Sequence, residues 1–487
     1  MIRPLTRLHP LAAAKLLSAV LLSALPLSGC VVGPNYKGAP VAAPIEAQAP
    51  AFHRAGDLSA DAPAGRWWTA LGDAELDRLI DAALAGSPDL AEARARIVQS
   101  RAGLKHARAD RMPTTGTAAA YLRSKGLTTL LAGNQAAGGG SAQTIEIYSA
   151  NFDATWEIDL FGGKARAIEG AQAQAEATDA ALDGAKVSLE AEVAQAYVSL
   201  RQLQRRLALS RRDAEIETRM LALTRQRQAG GAASDLDVEQ LNNQLQSTEA
   251  TLTPLSAQIA EQLDRLAILT GREPGTLDGE LSPVAAVPAP PAAVSVGDPA
   301  ALLRRRPDIR QAERKLAQSN AAIGQHTADL FPKVTLLGTV GYTAPSLSHL
   351  LDSSNSSYTI APFLQWTPFD FGRIRAQIAQ ARGTYDEALA DYRKTVLGAL
   401  QDAETTLVRY GRQRDSVVSQ LRVQASADHA AALQDLRRKG GTATTLDVLD
   451  TERQRVQADL GVLDAQAQLT DDYIALQKSL GLGWEGS

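Results

Sequence analysis

The sequence predicts an α+β chain in which one unit is repeated in tandem, each copy combining very long helices with a pair of short strands. Three observations carry that prediction. Residues 88–113 match residues 307–332 at an offset of 219, with nine of 26 positions identical, among them Pro88, Asp89, Gln99, Ser100, Asp110 and Pro113. Residues 164–229 and 373–439 run for 66 and 67 residues without a proline, which is beyond an ordinary globular helix and suits a coiled coil or rod. Residues 148–160 alternate without a break, apolar at Tyr148, Ala150, Phe152, Ala154, Trp156, Ile158 and Leu160 and polar between them. That is the period of a strand with one dry face and one wet face.

The repeat continues at an offset of 210. Trp156, Phe161 and Gly162 match Trp366, Phe371 and Gly372, while Gly230, Gly231, Leu236, Asp237 and Val238 match Gly440, Gly441, Leu446, Asp447 and Val448. The change of offset places a loop of unequal length between residues 113 and 156, since insertions are tolerated at surface connections. Each unit therefore reads as a helix ending at a proline, two strands around a polar loop, a long helix, a Gly-Gly break and a last helix. Strands are expected at residues 115–123, 148–160, 333–343 and 357–369. Pro362 and Pro368 weaken the fourth, because proline donates nothing to a ladder. In the second long helix Leu400, Ala403, Leu407, Tyr410, Val417 and Leu421 recur at three- and four-residue steps, with Arg414 in one seam position, as in a coiled-coil seam. Residues 274–300, rich in Pro and Ala, read as a connector between a first unit (66–273) and a second (301–487).

The N-terminus carries a different signal. Arg3, Arg7 and Lys15 lead into an apolar stretch, residues 16–27, that ends in Leu27-Ser28-Gly29-Cys30. A basic start, a short apolar core and small residues before a cleavage point form the layout of an export signal, so residues 1–29 are expected to be removed. The Leu-Ser-Gly-Cys sequence resembles a bacterial lipobox, which implies lipidation of Cys30; Val31 in place of Asp resembles the pattern sent on to the outer membrane. Residues 30–65, with Pro34, Pro40, Pro44, Pro50 and Pro63, are expected to form an extended, lipid-anchored tether.

Composition removes several functions. The 487 residues carry a net charge of −4 with no basic block, a poor basis for binding a phosphate backbone, so no nucleic-acid partner is expected. The single cysteine excludes internal disulfides and cysteine-rich metal sites. The six histidines form no His-x-x-x-His pair, and neither a metal site nor a cofactor is expected. There is no Walker loop and no Gly-x-Ser-x-Gly elbow. Residues 481–486 fit Gly-x-Gly-x-x-Gly only formally, because they follow a helix rather than a strand. No enzymatic activity is expected. Beyond residue 30 no apolar run is long enough for a membrane-spanning helix.

Strands of about ten residues can cross a bilayer. Four of them cannot close a barrel, and membrane sheets must close because lipid leaves no unpaired backbone group satisfied. If these strands enter lipid, several copies must share the barrel. On the pattern alone a half-buried sheet beside a fibrous coiled coil also fits, which would make the chain a structural or adaptor coiled-coil lipoprotein of the periplasm.

Longer motifs bear on the choice. They are Cys30-Val31-Val32-Gly33-Pro34-Asn35-Tyr36; Trp67-Trp68 followed by Leu71, Asp73, Leu76, Leu79 and Ile80; residues 156–163, Trp-Glu-Ile-Asp-Leu-Phe-Gly-Gly; and residues 302–310, Leu-Leu-Arg-Arg-Arg-Pro-Asp-Ile-Arg, with Asn320-Ala321, Ile323-Gly324 and Phe331-Pro332. Over nearly the whole mature chain the sequence resembles the outer membrane factors, the TolC-like exit ducts, in the lipoprotein branch serving resistance-nodulation-division (RND) efflux pumps. The resemblance implies a TolC-like homotrimer with a shared twelve-stranded barrel above a periplasmic helical tunnel. It also implies a passive exit duct in the outer membrane, docked to a periplasmic adaptor (membrane fusion) protein and an inner-membrane RND pump. It places Asp237, Asp447 and Asp450 at a periplasmic aperture, and Arg227, Gly230, Gly231, Arg437, Gly440 and Gly441 at a tip that meets the adaptor. Helix capping explains the same neighbourhoods, through Ser234, Asp235, Thr444 and Thr445 at N-termini and the glycines at C-termini. Residues 126–144 and 346–357 would be extracellular loops, and Tyr121, Tyr148, Trp156, Tyr342, Tyr358 and Trp366 interfacial girdles.

Overall fold

A computed structural model describes residues 31–43, 49–56, 58, 59, 61, 63–125 and 144–484. The expected export signal, Cys30 and nearly all of the first expected extracellular loop lie outside the described residues. The chain divides into two compact units: the described part of Met1–Gly38 with Ser100–Ala175 and Lys315–Ala388, and Ala39–Gln99 with Glu176–Arg314 and Leu389–Ser487.

The first unit holds an antiparallel sheet in the order β1 (Thr114–Lys125), β2 (Thr144–Ile158), β3 (Lys333–Ala344) and β4 (Ser356–Gln365). Tyr121 stands opposite Tyr148, Phe152 opposite Val340, and Val340 opposite Tyr358. β2 stops at Ile158 because Asp159 turns to accept the backbone N–H groups of Lys164 (3.1 Å) and Ala165 (2.8 Å) at the start of the following helix. β4 forms despite Pro362. It is an edge strand, and one row of its backbone groups faces no strand among the described residues, which is where proline is tolerated.

The start of the expected tether is extended and docked. Val32 N–H donates to the Phe161 carbonyl at 3.1 Å. Arg166, 3% exposed, donates to the carbonyls of Val32 (3.2 Å) and Gly33 (3.3 Å) and to Asn35 Oδ1 (2.6 Å). Asn320 Nδ2 adds a bond to the Pro34 carbonyl at 3.1 Å. Gly33 has φ +87°, and a Cβ there would lie 2.4 Å from Gly324 Cα, so two glycines let the backbones cross. A guanidinium with five donors holds an extended segment that has no secondary structure to satisfy it.

The second unit contains α1 (Ala74–Gly86), most of α2 (Pro88–Ala109), of the 67-residue α3 (Gly163–Ala229) and of α8 (Arg373–Lys439), and the 35-residue α4 (Asp235–Leu269) and α9 (Thr445–Ser479). The short α5 (Asp278–Leu281) and α6 (Pro299–Arg305) lie between α4 and α7 (Pro307–Ala328), which begins here and continues into the first unit. Its core joins both repeats: Leu76, Leu79 and Ile80 of α1, Val193, Tyr197 and Leu200 of α3, Leu400, Ala403 and Leu407 of α8, and Ile474 and Leu476 of α9. Trp68, Trp67, Tyr473 and Tyr410 meet edge to face or tilted in that order, at centroid spacings of 5.8, 6.0 and 6.2 Å. Asp73 caps α1 and also accepts the Tyr197 hydroxyl at 2.9 Å. Of the expected α8 seam, Leu400, Ala403, Leu407 and Tyr410 are buried, Val417 is half-buried and Leu421 is exposed. The Pro/Ala-rich connector is packed: Leu277, Leu281, Val294 and Val296 join the core, and buried Arg201 donates to the carbonyls of Leu281 (3.1 Å) and Pro283 (2.8 Å).

One core group is out of balance. Glu190 on α3 is fully buried, neither carboxylate oxygen has a hydrogen-bond partner, and a Cβ at Gly483 would collide with it. Burial pushes its pKa up to about 8 against the pull of Lys186 and Arg66. The folded chain therefore keeps a proton that the unfolded chain loses near the ordinary glutamate value, and stability falls as pH rises between those two values. Glu190→Gln removes this slope. Thermal unfolding should show the variant's advantage over the native chain growing from pH 5 to pH 8; an advantage independent of pH would show that Glu190 is ionised in the fold.

Candidate functional site

Two regions concentrate the expected functional residues, the sheet of the first unit and a pair of helical turns in the second. Residues opposite one another on adjacent strands share a face. The register therefore extends the apolar side of β2 across the sheet: Tyr121, Ala119 and Thr117 of β1, Tyr342, Val340, Leu336 and Val334 of β3, and Tyr358, Ile360, Pro362 and Leu364 of β4. The other side carries Ser149, Asn151, Asp153, Thr155 and Glu157, with Thr339 donating to Asp153 at 2.9 Å. Many apolar-side groups are exposed in the single chain, including Tyr121, Phe152, Trp156, Val340, Tyr358, Ile360 and Leu364. Tyrosines gather at one end of this face, where the rings of Tyr121 and Tyr148 lie 4.8 Å apart. At the other end Trp156 Nε1–H donates to the Arg111 carbonyl at 3.0 Å, and Trp366 Nε1–H to the Leu330 carbonyl at 3.1 Å. An apolar band between aromatic ends is the outer surface of a membrane barrel. Among the described residues no helix is long and apolar enough to cross a membrane.

The two turns are built alike. At the end of α3 Gly231 adopts φ +73° and Ala232 N–H returns to the Arg227 carbonyl at 2.7 Å; at the end of α8 Gly441 adopts φ +74° and Thr442 N–H returns to the Arg437 carbonyl at 2.9 Å. These are left-handed glycine C-caps. Ser234 then caps α4 and Thr444 caps α9, each in a reciprocal box with the third helical residue, Asp237 or Asp447. Asp447 Oδ2 accepts both the backbone N–H and the hydroxyl of Thr444 at 2.8 Å, and Asp237 treats Ser234 in the same way. The backbone N–H of Thr444, then its hydroxyl, and after these the charges of Arg437 and Arg227 hold the Asp447 carboxyl below the usual range; Ser234 does most of this for Asp237, with Arg227 adding its charge. Asp450 lies 3.2 Å from Arg453 and 2.9 Å from Gln454.

The comparisons with known proteins agree with this geometry. The model of the family described as outer membrane efflux protein matches residues 79–272 and 299–482. The chain belongs to that family. Outer membrane protein OprJ of Pseudomonas aeruginosa is 30% identical over 96% of this chain and 96% of its own length. Nodulation protein T of Rhizobium leguminosarum bv. trifolii is 29% identical over 94% and 95%. The solved structure of the outer-membrane channel OprN superposes with a TM-score of 0.81 at 34% identity, covering 93% of this chain and all of that one. As a member of the outer membrane efflux family, the chain has the TolC-like fold and forms the outer-membrane duct of an efflux system.

Sequence reasoning set helix capping, most clearly at Ser234, Asp235, Thr444 and Thr445, beside the aperture role of Asp237, Asp447 and Asp450 and treated the two as compatible. The structure makes both aspartates partners in the caps, and the Ser-x-x-Asp and Thr-x-x-Asp spacing was the available signal. It also places Arg227 of the first turn near enough to act on Asp447 of the second. Arg166 and Asn320 escaped notice because their partners are backbone carbonyls, which no side-chain pattern reveals. The caps can be tested directly. Thr444→Ala should weaken the start of α9 by about 1 kcal/mol, read as faster amide exchange at Asp447 and Val448. Since Asp447 has a depressed pKa when folded, its contribution is present above the ordinary aspartate value and lost as pH falls through the folded one. Asp447→Asn should therefore show at neutral pH the low protection, relative to the intrinsic exchange rate at each pH, that the native chain reaches only in acid, and equal protection in the two chains at both pH values would remove the cap.

Proposed function

We propose that three copies of the chain join their sheets into one barrel in the outer membrane and their long helices into a periplasmic tunnel, giving a passive duct that carries cargo outward without chemistry. One observation carries this reading: the sheet has a continuous apolar face and two edge strands with no partner strand among the described residues, while closed membrane barrels begin at about eight strands. The family supports the outer-membrane setting. The duct receives cargo from a periplasmic adaptor and an RND-type inner-membrane pump, which supply the energy. The paired turns are the adaptor-facing tip, through Arg227, Gly230, Gly231, Arg437, Gly440 and Gly441. Asp237, Asp447 and Asp450 narrow the aperture there. We divide the mature chain into an anchored segment (30–65), two repeats (66–273 and 301–487) and a connector (274–300), with Cys30 lipidated after removal of residues 1–29.

Purified protein in a planar bilayer should conduct only as an oligomer, and a silent monomer would return the chain to the class of coiled-coil lipoproteins. Asp447→Ala combined with Asp450→Ala should raise resting conductance. Conductance unchanged by this pair, by pH and by divalent ions would leave these residues as caps alone. Intact mass of the membrane-extracted chain should show acyl chains on a polypeptide beginning at residue 30, and Cys30→Ala should abolish them; an unmodified chain would disprove the anchor.

A further inference from the structure

Between its core and its capped turn, α3 buries two carboxylates one turn apart. Asp213 is 3% and Glu217 0% exposed, and a spacing of four residues puts them on one face of the helix. Neither oxygen of Glu217 has a hydrogen-bond partner, and neither has Asp213 Oδ1. Asp213 Oδ2 alone is met, by Gln457 Nε2 of α9 at 2.7 Å. Burial first, and then the charge of Glu217, push the Asp213 pKa up, while the Gln457 bond and the charge of Arg453 pull against them. The cations of this stretch are engaged elsewhere: Arg453 with Asp450 (3.2 Å), Arg212 with Glu452 (3.3 Å) and Arg206 with Asp464 (2.8 Å). The neighbouring Ile216, Met220 and Val456 are apolar and buried.

Two like charges held in this way must be neutralised, by a proton or by a cation. The surroundings favour a cation. Asp213 opens on a cavity of about 740 Å³ between α3, α4 and α9, whose walls carry the oxygen-bearing side chains of Ser210, Gln244, Ser247, Thr248, Thr251 and Gln457. Water and small ions can reach the carboxylate from there. Three carboxylate oxygens need partners, and one proton supplies a single donor. A hard divalent cation binds several oxygens at once, and where the protein offers only one or two carboxylates it keeps water for the rest.

We propose that Asp213 and Glu217 bind a hard divalent cation of the Mg²⁺ or Ca²⁺ class within each chain, with water from the adjoining cavity completing its shell. Among the described residues no group of three or more His, Cys, Asp or Glu is placed to hold a metal, so this is a site of two carboxylates and much water, and the ion exchanges readily. Gln457 ties the pair to α9, and the occupied site braces α3 against α9. It needs neither a second copy nor lipid, and it is separate from Asp237 and Asp447 of the turns.

The full chain, purified and stripped with a chelator, provides the test. Added MgCl₂ or CaCl₂ at constant ionic strength should raise the thermal unfolding midpoint in step with the logarithm of its concentration. It should also slow amide exchange at residues 210–220 and 453–460, roughly tenfold at ten times the dissociation constant. Glu217→Gln and Asp213→Asn keep the shape of the side chain and remove one charge, and each should abolish the local slowing while making the stripped chain more stable. Asp237→Asn with Asp447→Asn should leave the slowing in place. A response that survives both Glu217→Gln and Asp213→Asn, or that is confined to the two turns, overturns the site. No response to either cation overturns it as well, and a stripped chain whose stability falls as pH rises would then assign the pair a proton.

Discussion

Backbone hydrogen bonding in hydrocarbon is the constraint on which the rest of the molecule depends. In water an edge strand can leave a row of N–H and C=O groups to the solvent. In lipid each unmet group costs several kcal/mol. β1 and β4 expose such rows at opposite ends of a sheet whose outward side is apolar, so the sheet suits neither solvent alone. On the proposed reading, folding of the strands, entry into the membrane and assembly become one event. The stability of the barrel is then inseparable from the concentration of chains.

The tandem repeat makes this economical. One hairpin plan, one long helix and one capped turn serve twice, and the chain departs from symmetry in few places. Gly162 in the first repeat receives Val31 of the N-terminal segment, whereas its counterpart Gly372 has nothing near it. The helix start is capped by Asp159 in one repeat and by Asp370, displaced by one residue, in the other. The connector has no counterpart either, and it is pinned by Arg201 and by the Thr470 hydroxyl, which donates to the Pro288 carbonyl at 2.6 Å. Each asymmetry lies where a single-copy segment meets a duplicated one.

The long helices were legible because helix is limited by what interrupts it. Without proline and rich in alanine, residues 164–229 and 373–439 had no reason to stop, and α3 and α8 match those bounds to within a residue. Strand β2 was legible from alternation and β1 and β3 as its partners, whereas Pro362 argued against β4 until its place at an edge was known. Residues 30–65 were read as an extended tether, and the docking of residues 32–35 was not legible, because proline and the absence of periodicity look the same in a free segment and in a docked one. What distinguishes them is Gly33, Gly324 and Arg166 meeting in space, and residue spacing carries no trace of that encounter. The aperture residues were placed by resemblance, while their caps were readable from local spacing alone.

Capping and narrowing an aperture are compatible roles for one carboxylate, and the caps explain how both can hold. Three like charges brought together would ordinarily shed charge by taking up protons. Asp237 and Asp447 resist this, because each is held ionised by hydrogen bonds from its own cap residue. On the proposed reading, a ring built from them would be assembled from ionised groups, and cations would do more than protons to balance it. Arg227 and Arg437 are those cations for Asp447, and Arg227 belongs to the other turn. Parting the two turns would therefore draw a positive charge from a negative one that cannot neutralise itself. Because both groups are exposed, water and salt screen that attraction strongly. On the proposed reading, the restraint this places on the tip is therefore soft.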